Sequence, residues 1–189
     1  MVKNIFIFLF CLFLTLTAEG KDFSRFRYLI PILSESEISI NSSKSQAKLS
    51  TFGNKCNLIF FNGMGFGYNT IRKKGNIDST FYKFKNHSLD LSYTIGGTLS
   101  FTFGIGQLIF GRGELTKNGN NFITENSSGE SLFFDIGIPF IIGELIIGYR
   151  QNFSEYSNYQ TKLNGESIVL LDPIKLYSSQ IEAGIGFLF

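Results

Sequence analysis

The chain has 189 residues, 43% hydrophobic, 17% charged and 16% aromatic, and carries a formal charge of +2. With 22 Phe, 20 Gly, 2 Cys and 1 His, it has too few thiols for a disulfide scaffold and too few ligands for a Cys/His zinc site. It is also too apolar to be disordered. Near-neutral charge argues against a nucleic-acid partner, and the length suits one domain of roughly 100–200 residues.

Lys3 precedes an apolar run over residues 5–16, and Ala18 and Gly20 follow as small residues. This order predicts a secretory signal peptide over 1–20, cleaved after Gly20. The run is shorter than the ~20 residues of a membrane-spanning helix. Cys11 lies inside it without the small residue that precedes a lipidated cysteine. A domain over 21–189 would keep Cys56 as its one thiol.

Beyond residue 20 the apolar stretches are too short for a membrane helix, and Gly recurs every few residues. Period-two alternation is clear instead, with apolar residues on one face and Gly, Ser or charge on the other. Strands are expected near 25–38 and 44–52, joined by Asn41-Ser42-Ser43, and then near 56–68, 86–95, 98–115, 130–138, 143–153 and 178–189. Short connections fall near 52–55, 96–97 and 139–143, and long polar ones at 69–85, 116–130 and 154–177. A bulge or a hairpin at 104–107 stays open, the hairpin making ten strands. The alternation breaks over 29–33, around Pro31. Strands of about 9–11 residues, apolar outward and small or polar inward, predict an all-β, antiparallel, eight-stranded transmembrane β-barrel. A soluble sandwich would show a Lys/Glu/Thr-rich solvent face and shorter strands. Short turns and both termini are expected on the periplasmic side.

The ending Gly184-Ile185-Gly186-Phe187-Leu188-Phe189 resembles the C-terminal signal of outer-membrane barrel proteins. The domain as a whole resembles small eight-stranded barrels of the OmpA-transmembrane, OmpX and opacity type. The resemblance implies that Ile181, Ala183, Ile185, Phe187 and Phe189 form an assembly signal read by the barrel-assembly machinery, with periplasmic chaperones as further partners. It also implies a Gram-negative outer-membrane location, and it carries over no ligand.

Eight strands leave a lumen just wide enough to be filled by side chains. Asp90, Asp135, Glu144, Arg150 and Glu182 alternate inward, with Arg112 and Glu114 near one end. Arg150 is expected to bridge two or more of these carboxylates and close the lumen, because an uncompensated buried charge costs several kcal/mol. His87, Ser88 and Asp90 contain the residue types of a hydrolase triad. Alternation, however, sends His87 to the opposite face from Ser88 and Asp90. Gly63, Gly65 and Gly67 lack the Lys and the strand-to-helix context of a phosphate loop. Cys56 is expected near a periplasmic turn. Arg72-Lys73-Lys74 is expected in an external loop facing lipopolysaccharide phosphates or solvent. Tyr68, Tyr82, Tyr93, Phe153, Tyr177 and Phe189 suit interfacial aromatic girdles. No cofactor or metal is expected. The reading is a monomeric, non-enzymatic surface-display barrel whose partners are outer-membrane lipids and lipopolysaccharide. The alternatives are a lipid A or phospholipid hydrolase, or a narrow channel.

Overall fold

The computed structural model describes residues 24–189 except 41, 42, 78, 97, 98, 142, 164, 165 and 171; the expected signal peptide lies outside the described residues. The described strands are β1 (Arg25–Ile40), β2 (Ser43–Ala47), β3 (Ser50–Ile59), β4 (Met64–Ile77), β5 (Thr80–Ile95), β6 (Ser100–Lys117), β7 (Asn120–Thr124), β8 (Ser127–Phe140), β9 (Gly143–Tyr156), β10 (Tyr159–Leu163), β11 (Glu166–Leu170) and β12 (Ile174–Leu188). Every pairing is antiparallel. The wall runs β1-β3-β4-β5-β6-β8-β9-β12 and returns to β1, a closed barrel of eight staves with β2 continuing the β3 stave. Closure removes the free edges that an open sheet would leave, which is the condition for strands to cross lipid. At the last rung, Ser24 and Phe189 exchange backbone hydrogen bonds of 2.9 and 3.0 Å.

Side chains of the wall follow the period-two rule. Phe26, Ile30, Phe66, Leu89, Phe103, Leu132, Leu145, Ile147 and Ile185 are exposed outward. Arg27, Asn57, Asp90, Thr102, Asp135 and Glu182 are buried inward. Apolar outside and polar inside inverts the order of a soluble protein and matches a lipid-facing barrel.

The structure corrects several connections. Residues 52–55 lie within β3, and the turn is at 60–63, where Gly63 has φ +84° and Asn62 Oδ1 accepts from Met64 N at 3.0 Å. Gly53-Asn54 reads as a turn in sequence, but Gly53 sits where β4 backbone crowds β3: a Cβ there would lie 2.2 Å from the Thr70 carbonyl oxygen. Cys56 is therefore mid-strand, half-buried between its cross-strand partners Tyr28 and Tyr68. The stretch 69–85 is the paired upper half of β4 and β5. Likewise 116–130 folds mostly into β7 and the start of β8, with Asn118 and Gly119 at φ 50° and 79° forming the tight turn, and 154–177 contains the β10–β11 hairpin. Polarity marked these segments as loops. Strands standing clear of lipid are polar on the outside too, so polarity does not separate the two.

Ser100–Lys117 is one strand, with no hairpin at 104–107. Its irregularity is at Ile109, the extra residue between the pairs Ser88–Leu108 and His87–Phe110. The bulge changes the phase, so Gly111, Gly113 and Leu115 are buried while the side chains of Arg112 and Glu114 stand outward, 40% and 21% exposed. A second register shift lies between Pro31 and Leu33, leaving Ile32 and Leu33 both exposed. On the other side of β1 the ladder lapses between the pairs Leu29–Lys55 and Ser36–Ala47. Proline has no N–H to offer there.

Candidate functional site

The lumen is built in layers. Nearest the termini, Arg27 on β1 donates to Glu144 on β9 through Nε (2.6 Å) and Nη2 (2.9 Å), to Ser100 Oγ (2.7 Å) and to Thr102 Oγ1. Arg25 adds a 3.3 Å contact to Glu144. One level on, Lys55 Nζ lies 2.8 Å from Asp135 Oδ2 and 3.5 Å from Glu182 Oε2. Arg150 makes a two-pronged pair with Asp90 (Nη1 to Oδ1, 3.2 Å), donates to Ser131 Oγ at 2.9 Å and sits 3.4 Å from Glu182 through Nε. Arg150 thus stands between Asp90 and Glu182. Asp135 and Glu144, which share that sequence pattern, belong to Lys55 and Arg27 instead. Phe133 lies beneath both cations, its ring centroid 3.6 Å from Lys55 Nζ and 4.4 Å from Arg150 Cζ.

Glycines make room for these pairs. A Cβ on Gly106 would fall 2.4 Å from both Asp90 Oδ1 and Ser131 Oγ. Sequence reasoning overlooked Arg25, Arg27 and Lys55. A signal existed: one arginine cannot neutralise four carboxylates in a closed space. With the three added, four cations face Asp90, Asp135, Glu144 and Glu182, and the layer is neutral.

Above it is a small polar layer that includes Ser36, Asn69, Ser88, Ser131, Ser154 and Ser178, all buried. At the hairpin end is an apolar cluster of Ile38, Leu49, Tyr82, Phe84, Leu115, Tyr156, Tyr159, Ile174 and Leu176. Phe84 and Tyr156 pack with centroids 4.7 Å apart, and Tyr156 Oη donates to Asn86 Oδ1 at 2.5 Å. Tyr82, expected in a girdle, is part of this core. Burial pushes the Tyr156 and Tyr159 phenols well above their ordinary range.

His87 is on the outer face. Its Nδ1 hydrogen-bonds Tyr68 Oη, and its ring lies 5.7 Å from Phe110. Ser88 is buried inward beside Asn69, and Asp90 is committed to Arg150. No acid–base–nucleophile group forms there. Arg72-Lys73-Lys74 is in β4: Lys73 points in, donating to Ser34 (3.2 Å) and Ser36 (3.1 Å), while Arg72 and Lys74 point out. Ile181, Ala183, Ile185 and Phe187 line the outer face of β12, and Phe189 follows its last residue, Leu188. Among the described residues no group of His, Cys, Asp and Glu has the makings of a metal site.

No family model and no curated protein matches the chain. Solved structures do. Neisserial surface protein A aligns over 90% of this chain and all of its own, with 15% identity and a TM-score of 0.56. The outer-membrane protease OmpT of Escherichia coli aligns over 94% of this chain and all of its own, with 7% identity and a TM-score of 0.54. The chain therefore has the fold of bacterial outer-membrane β-barrels.

Proposed function

We propose that this is an integral outer-membrane barrel that acts without catalysis, as a structural and surface-display protein, with its termini in the periplasm and its hairpins outside. One observation carries the reading: the lumen is filled twice over, by a neutral ion-pair layer within the apolar belt and by an aromatic core at the hairpin end. A filled lumen leaves the outer surface to make contacts. That surface consists of the hairpin ends, available for adhesion or recognition, and the lipid-facing wall. The one histidine is tied to Tyr68 on that wall, apart from Ser88 and Asp90, which disfavours the hydrolase alternative.

The test combines planar-bilayer recording of the refolded barrel with a deletion strain. Expected are no large, stable conductance steps, unchanged lipid A by mass spectrometry, and a defect in detergent resistance or surface binding. Stable channel steps would replace this reading with a pore. Lipid A changes that return with the wild type but not with His87→Ala would replace it with an enzyme.

A further inference from the structure

The outward face of β4, β5 and β6 carries two successive rows. In the first, Thr70, His87 and Phe110 are cross-strand partners, and the Tyr68 ring lies tilted beside His87 with centroids 5.8 Å apart. This is an aromatic edge to the apolar belt. Two residues further toward the hairpins, Arg72 pairs in register with Lys85, and Lys85 with Arg112. Like charges directly opposite on one face of a sheet repel. Here three stand in line, and the next row adds Lys74 opposite Lys83. Against this group of five cations, Glu114 lies 2.9 Å from Lys83 and 3.0 Å from Arg112, and Glu125 lies 3.7 Å from Arg112. No ion-pair partner appears for Arg72, Lys74 or Lys85 among the described residues. On β12 and β2, by contrast, Lys175 lies 3.8 Å from Glu155 and Lys44 lies 3.1 Å from Glu37.

We propose that the Arg72–Lys85–Arg112 row is a binding site for the phosphate monoesters of an outer-leaflet glycolipid. A sugar-borne phosphate sits at the boundary where hydrocarbon gives way to head groups, and this row lies just past the aromatic edge that marks it. Guanidinium groups take phosphate oxygens in pairs, and Lys85 adds a point charge between the two arginines. An anion bridging the row turns the repulsion into attraction. Acyl chains of the same lipid would lie on Leu89, Leu91, Ile105 and Phe66 below, all on the outer face. The site rests on the outer-membrane reading for its occupant, but its chemistry can be tested on the isolated barrel.

The test is native mass spectrometry of the detergent-folded barrel with bisphosphorylated lipid A, the same glycolipid without phosphates, phosphatidylglycerol, and inorganic phosphate. The triple variant Arg72→Gln/Lys85→Gln/Arg112→Gln is compared with wild type and with the control Lys44→Gln/Lys175→Gln, and heat-modifiability on gels confirms folding of each. Expected is retention of bisphosphorylated lipid A by wild type and control, a loss of about a hundredfold in the triple variant, and weak binding of the unphosphorylated lipid. Equal retention by the triple variant, equal binding of the unphosphorylated lipid, or equal binding of phosphatidylglycerol would each overturn the site. Inorganic phosphate binding as tightly as the glycolipid would reassign it to a free ion. Protease shaving of intact cells reads orientation separately: hairpins shielded from protease would sink the surface-display reading while leaving the in-vitro binding result standing.

Discussion

Lys55 shows how much one side chain can decide in a closed lumen. Its ammonium, 1% exposed, holds Asp135 at 2.8 Å, and Asp135 is wholly buried. Replacing one member strands the other charge, which costs about 3–5 kcal/mol, whereas replacing both with apolar groups of like volume is often neutral. Lys55→Met is therefore expected to lower the urea midpoint of the refolded barrel sharply, and Lys55→Met/Asp135→Leu to recover most of it. A double variant no better than the single one would show that Lys55 acts through Glu182. Lys73 is the contrasting case, buried with two serine hydroxyls and no carboxylate. It stands level with outward Arg72 and Lys74, clear of the apolar belt, and burial holds its pKa down to about 7. The unfolded chain keeps a lysine protonated up to about pH 10.4. Between those values the unfolded state binds more protons, so Lys73 makes stability rise with pH from about 7 to about 10. Lys73→Met should flatten that rise and stabilise the barrel at neutral pH, as read from urea midpoints across the range. An unchanged slope would place the ammonium in water.

At the level of strands, alternation was legible where one face meets lipid. For β8, β9 and β12 the inward sets Ser131–Phe133–Asp135, Glu144–Ile146–Gly148–Arg150 and Gln180–Glu182 are the observed ones. It was not legible where strands leave the lipid. Lys83 and Lys85 flank Phe84 on β5, and water outside with an aromatic core inside gives the same polar average as a loop. Bulges were hidden for another reason. One extra residue flips every side chain beyond it, yet Gly104, Gly106, Gly111 and Gly113 offer no contrast to reveal where β6 changes phase. The register gives a sharp test. Deleting Ile109 removes the bulge but leaves Gly111, Gly113 and Leu115 facing inward, so the variant should still fold. Inserting Ala between Phe103 and Gly104 turns Gly106 and the buried positions beyond it against the ladder, and should abolish the heat-modifiable form on gels. Equal tolerance of both changes would mean that pairing with β5 is not held in the observed register.

For the molecule as a whole, closure and assembly are separable demands on the same last strand. β12 pairs with β1 from Ile174–Ile40 down to Leu188–Arg25, and Phe189 adds two backbone bonds to Ser24 at the end. Its ring, 65% exposed, contributes little packing to the closed barrel. Removing Phe189 should then cost the finished fold only about 1–2 kcal/mol, the worth of those terminal bonds. An assembly signal, the role proposed for Ile181, Ala183, Ile185, Phe187 and Phe189, would make a different demand, since it would be read before the barrel exists, when β12 is an unpaired strand with one apolar face. The truncated chain is expected to refold in detergent with a urea midpoint near that of wild type, and to be depleted severalfold from the outer membrane of cells expressing it. Equal losses in both assays would make Phe189 a structural closure residue. No loss in cells would leave the terminal aromatic without a part in assembly.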